Sequence, residues 1–143
     1  MPVCTFFGHR IVPKEIEPTL RSTLIDLIVN HDVKLFYVGN HGEFDAMVRR
    51  VLRELSNEYP IRYYVVLAYM PEKRSGIDPT DCSDTILPED IETVPKRFAI
   101  NYRNKWMIDH SDIVVTYVHR SFGGAAKFKE LAEKRNKVVI PIM

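Results

Sequence analysis

Cysteine is scarce in this sequence: Cys4 and Cys82 are the only two among 143 residues. They form no C-x-x-C pair, and no His/Cys cluster has zinc-ligand spacing, which removes the common structural-zinc and redox motifs. Disulfides are rare in reducing compartments, so two reduced thiols in a cytosolic protein are expected. Long apolar runs are also missing, and nothing approaches the roughly 20 residues that span a bilayer. The opening Met1-Pro2-Val3-Cys4-Thr5 has neither a basic stretch nor a cleavage site. A cytoplasmic location without membrane contact is the expectation. No sign of charge dominates either: 20 Lys and Arg against 19 Asp and Glu give a net charge of +1. Charge therefore gives no help to nucleic-acid binding, and there is no acidic tail to seek a basic partner.

What is present has the rhythm of an α/β protein. Five apolar segments read as strands: 3–7, 34–38, 62–68, 113–118 and 137–142. Most are continuous Val, Ile, Tyr and Phe runs, not strict alternations, as suits strands covered on both faces. Between them lie helical periods over 13–30, 42–59, 95–110 and 123–135. The second carries Phe44, Met47, Val48, Val51, Leu52 and Leu55, and the third carries Phe98, Ile100, Trp106 and Ile108. Alternating strands and helices imply βαβ units. The expected fold is therefore a Rossmann-like three-layer α/β domain over 1–143, with a mostly parallel sheet of about five strands. Residues 70–94 break the rhythm with Pro71, Pro79, Pro88 and Gly76. A loop of that length is usually functional, and a flap near the ligand edge is expected. Within it, Thr85-Ile86-Leu87 offers only a brief extension.

The informative feature is where glycines fall. Three strands run into glycine-bearing loops: Phe7-Gly8-His9-Arg10, then Val38-Gly39-Asn40-His41-Gly42-Glu43-Phe44-Asp45, then a stretch from Val118 to Gly123-Gly124-Ala125-Ala126-Lys127. In an open parallel sheet, ligands bind outside the carboxyl ends of the strands. Glycine permits close approach and positive φ, and a helix start offers unpaired N–H groups and a positive dipole end. A glycine after a strand is often only a turn residue. Three such loops at one edge make a phosphate site the stronger reading. Neither G-x-G-x-x-G nor G-x-x-x-x-G-K-[ST] is present.

Arg10 would present a planar fork to a phosphate, or else a surface ion pair. His9 would donate to a phosphate or serve as a structural imidazole. Asp45 would accept from a ribose hydroxyl or cap amides, whereas Glu43 is explained by the helix dipole alone. Arg103 and Met107 share one helical face with Asn104 beside them, and a solvated face is the competing reading. Glu130, seven residues after Gly123, would look back toward the glycines or pair with Lys134. The expected ligand-binding set is Gly8, His9, Arg10, Gly39, Asn40, Gly42, Asp45, Asn104, Gly123, Gly124, Ala125 and Lys127. No metal set stands out, no cofactor is expected, and Ser121 near His119 lacks a nucleophile elbow.

Together these loops resemble the SLOG superfamily, the Rossmann-like group named for the SMF/DprA and LOG proteins, and most of all its uncharacterised YpsA-like branch. The resemblance rests on Phe7-Gly8-His9-Arg10, Gly39-Asn40-His41-Gly42-Glu43-Phe44-Asp45, Arg103-Asn104-Lys105-Trp106-Met107-Ile108-Asp109 leading into Ser111-Asp112-Ile113-Val114-Val115, and Gly123-Gly124-Ala125-Ala126-Lys127 with Glu130. It spans nearly the whole chain apart from 70–94. It implies a small-molecule partner of nucleotide, NAD or ADP-ribose type, and a homodimer by analogy. Some members hydrolyse the N-glycosidic bond of nucleoside monophosphates through a PGGxGTxxE motif and an upstream arginine. Glu130 matches the motif glutamate, and Arg103 is the nearest counterpart of the arginine. Phe122, Ala126 and Lys127 depart from the motif, and Lys127 would add charge that favours retaining an anionic ligand. The readings implied are thus a binding module, a nucleotide N-glycosidase with Glu130 and Arg103 as catalytic residues, or a single-stranded nucleic-acid binder. The near-zero net charge counts against the last.

Overall fold

A computed structural model describes residues 2–69, 84–119 and 123–142. Among the described residues six strands and four α-helices follow one another: β1 Val3–Gly8, α1 Glu17–Asn30, β2 Leu35–Val38, α2 Gly42–Leu55, β3 Arg62–Val66, β4 Asp84–Ile86, α3 Lys96–Asp109, β5 Ile113–Tyr117, α4 Gly124–Lys134 and β6 Val138–Pro141. All neighbouring strands pair in parallel, in the order β4-β3-β2-β1-β5-β6. This is a Rossmann-like α/β fold with six strands, one more than expected. The extra strand, β4, lies inside the proline-rich 70–94 segment, where three residues pair with β3. Tertiary pairing, not local propensity, makes so short a strand. Of that segment, 70–83 lies outside the described residues, as does Cys82, so the expected flap is not addressed. The Arg120-Ser121-Phe122 stretch is likewise outside them.

The chain winds outward from β1 to β4, returns, and continues outward on the other side through β5 and β6. Strand order therefore reverses between β1 and β5, which is where open parallel sheets hold ligands. The ladder between them is long, from Cys4 opposite Ile113 to Gly8 opposite Tyr117. The turn into β5 is fixed from the side: Asp112 accepts the Val3 N–H on Oδ2 at 2.9 Å and donates its own N–H to the Val3 carbonyl. Pro141 sits on β6, an edge strand, where a missing N–H is tolerated.

Both sheet faces are covered, as the continuous apolar strands require. On one face α1 and α2 bury Leu20, Leu24, Leu27, Val48, Val51 and Leu52 against Phe6, Phe36, Val38 and Val115. On the other, Phe7, Val66 and Val114 pack with Met107, Ile108, Phe128 and Ala132 of α3 and α4. The apolar stripe read for α2 is buried throughout. The stripe read for α3 is not: Phe98 is 49% exposed under the Arg97 guanidinium, and the buried positions are Ala99, Arg103, Met107 and Ile108. An arginine has taken a place in the core-facing row of that helix.

Candidate functional site

At the carboxyl ends of β1 and β5, a cavity of about 230 Å³ opens between three loops and α3. Gly8, His9 and Arg10 line it from the end of β1, with His41 and Asp45 from the start of α2, Arg103 and Asn104 from α3, and Gly123, Gly124 and Ala125 from the start of α4. Ile100, Met107, Phe7 and Phe128 supply an apolar floor. A roomier hollow of about 600 Å³ lies at the other end of the sheet, where β5 and β6 begin, against Leu27 and His31 of the α1 end. The described residues that line it include no glycine loop, no helix start and no buried charge, so the smaller polar cavity is the better site.

Arg103 organises the cavity. It is 2% exposed, and its Nε donates to Asn104 Oδ1 at 2.7 Å. One terminal nitrogen donates to Asn40 Oδ1 at 3.1 Å and to the Val66 carbonyl at 3.0 Å. The other faces His41 Nδ1 at 3.4 Å. Helix α3, strand β3 and the β2–α2 loop are thus tied to one guanidinium. A guanidinium has five donor hydrogens, and the protein engages most of them. Burial pushes Arg103 below its usual range, while Asp45 and Tyr69 pull the other way. The side chain is a positioning cation more than an open phosphate ligand.

Asp45 stands beside it. Its Oδ2 accepts the His41 N–H at 3.1 Å. Burial raises its carboxyl above the usual range, against Arg103, the His41 amide and Arg49, which lower it. A Cβ on Gly39 would lie 2.6 Å from Asp45 Oδ2 and 3.1 Å from an Arg103 terminal nitrogen. Gly39 is therefore glycine so that two opposite charges can close over the end of β2. His41 is held below its ordinary range by burial, then by Arg103, Arg10 and Arg49. Since arginine only donates, Nδ1 of His41 is the acceptor and Nε2 carries the proton.

The start of α2 is closed by the protein's own groups. Glu43 N–H donates to the Arg10 carbonyl at 2.7 Å, and Glu43 Oε2 accepts the Val12 N–H at 2.9 Å. Gly42 turns at φ +90°, with its missing Cβ 3.0 Å from Arg10 Cα. Gly8 is crowded as well, since a Cβ there would fall 2.3 Å from Cγ of Phe44. This glycine makes room for a core ring, not for a ligand.

The start of α4 is open. Gly123 adopts φ +99°, and among the described residues, chain neighbours and the helix's own backbone apart, no heavy atom lies within 4 Å of where a Cβ would stand on Gly123 or Gly124. Among the described residues no side chain caps this helix, and its first turn contains no acid. The Arg10 side chain, across the cavity, is exposed and makes no hydrogen bond or ion pair among the described residues.

Nine of the fourteen site residues expected from sequence thus line one cavity, Arg103 among them as an organiser in place of the catalytic role expected, with Asn40 bonded to it from behind. His9 is 4% exposed and accepts the His119 N–H on Nε2 at 3.0 Å, which is the structural use of the imidazole. Lys127 is exposed with Nζ over the Phe128 ring at 5.5 Å, and it does not line the cavity. Neither does Glu130, whose side chain is 70% exposed and pairs with Lys134 at 3.5 Å. The expected set omits His41, whose only sequence signal is its place just before Gly42 at a helix start. No family model matches the chain, and no curated protein matches it.

Proposed function

We propose that this protein binds a nucleotide or nucleotide-derived ligand, with a phosphate at the open start of α4. The observation that carries the reading is the acid-free helix start at Gly123, Gly124 and Ala125, unobstructed by any described residue and facing the same cavity as Arg10. Unpaired helix-start amides and the dipole favour an anion there, and Arg10 adds a charge-assisted donor. The likeness of the loops to SLOG proteins supports the same ligand class. The cavity is smaller than the roughly 300–1,000 Å³ of most ligand pockets. It suits a sugar phosphate, with the rest of a larger ligand reaching outward.

Hydrolysis of an N-glycosidic bond has less support. It relied on Glu130, which pairs with Lys134 away from the cavity. Titration calorimetry with nucleoside monophosphates, NAD and ADP-ribose tests the binding reading. Saturable binding that Gly124→Asp weakens at least tenfold is expected, because a carboxylate would then occupy the anion position. No heat with any member of the panel would refute it.

A further inference from the structure

Building on that phosphate site, we infer that Asp45 reads a sugar hydroxyl, so that the cavity prefers a phosphorylated ribose with both vicinal hydroxyls over its 2-deoxy counterpart. The cavity has two electrical ends. Arg10 and the start of α4 form one. Asp45, the sole carboxylate among the described residues that line it, forms the other. A phosphate is repelled from the Asp45 end, whereas a hydroxyl can donate there.

The carboxylate has unused capacity. One oxygen takes the His41 N–H, and an ionised carboxylate offers about four acceptor sites. Its place is fixed from behind, since Gly39 leaves no free space between it and Arg103. Arg103 is already engaged with Asn104, Asn40, the Val66 carbonyl and His41. His41, also in the cavity wall, has Nδ1 turned to Arg103, which leaves Nε2–H as a donor. A donor and an acceptor side by side match a hydroxyl, which both gives and takes a hydrogen bond. Burial strains the Asp45 charge, and a hydroxyl would return part of the hydrogen bonding that burial removed. A site built around a polar partner discriminates against ligands that lack it, because its own group is then left unpaired.

The test is calorimetry of the full chain with ribose 5-phosphate, 2-deoxyribose 5-phosphate and inorganic phosphate. A hydrogen bond to a charged group accounts for about tenfold or more in affinity. The unaltered protein should therefore bind ribose 5-phosphate at least tenfold more tightly than the deoxy sugar. Asp45→Asn should bring the two sugars within about twofold and tighten inorganic phosphate, since a negative charge has left the cavity. Equal binding of both sugars by the unaltered protein overturns the inference and leaves the phosphate site standing. Absence of binding by all three overturns both. Should Asp45→Asn not fold, the ratio measured on the unaltered protein decides the matter alone.

Discussion

Two helices begin at the same edge of the sheet, and they begin in opposite ways. The first turn of α2 holds Glu43 and Asp45; the Glu43 amide serves the Arg10 carbonyl, and the His41 amide just before the helix serves the Asp45 carboxylate. The first turn of α4 holds Gly124, Ala125, Ala126 and Lys127 behind Gly123, with no acid. The positive end of α2 is thus satisfied internally, whereas that of α4 is satisfied by nothing among the described residues. The glycines follow the same division. Gly8 and Gly39 are hemmed in by Phe44, Asp45 and Arg103, whereas Gly123 and Gly124 meet no such neighbour among the described residues. A glycine-rich loop can therefore serve packing or leave room for a ligand, and only its neighbours decide which.

The sharpest break of the comparison lies on the closed side. Replacing Arg103 with Met should cost about 3–5 kcal/mol in urea unfolding, because it leaves Asp45 buried without its counter-charge and removes the donors to Asn104, Asn40 and Val66. Arg103→Lys should not restore the loss, since a point charge cannot reach three elements at once. Next comes Gly8→Ala. With Phe44 2.3 Å from the new Cβ, overpacking should cost about 1–3 kcal/mol. Combining it with Phe44→Leu should give less than the sum of the two single losses, which a double-mutant cycle measures.

The open side should behave differently. Gly124→Ala meets no neighbour and no positive φ, so thermal unfolding should show a gain of about 0.5–1 kcal/mol. Gly124→Asp should add roughly 0.3–1 kcal/mol through the dipole while removing anion binding. A stabilised but non-binding variant is the signature of an empty functional helix start. The smallest effect concerns pH. His41 is held below its ordinary range, so the fold favours its neutral form. That contribution is full above the unfolded histidine value, about 6.5, and is lost as pH falls through the depressed folded value. Stability measured against pH should be flatter on the acid side in His41→Gln. Asp45 has the opposite sense. Its raised value favours the protonated form, and the stability tied to it fades as pH rises through the folded value.

Much of this was legible in the chain. The α2 stripe from Phe44 to Leu55, the parallel strands and the meeting of Gly8, Arg10, Asp45, Asn104 and Gly123 follow from periodicity and from glycines at strand ends. Strand β4 was legible only as a brief extension at Thr85-Ile86-Leu87, because three residues among prolines become a paired strand only when β3 is beside them. The α3 face was misjudged through Phe98, since charge and apolarity alone cannot tell that Arg103 would enter the core row with hydrogen bonds in place. Glu130 was misphased by counting from Gly123, which stands outside the helix at φ +99°. Residue 130 is two steps from the buried Phe128, about 200° around the helix at roughly 100° per residue.

The most direct test is an amide-resolved NMR titration of the protein with ribose 5-phosphate. The largest shifts should fall on the N–H signals of Gly124 and Ala125, saturating together, while Glu43 at the start of α2 stays nearly still. Shifts centred on Glu43 and the first turn of α2, with Gly124 and Ala125 unmoved, would contradict the account.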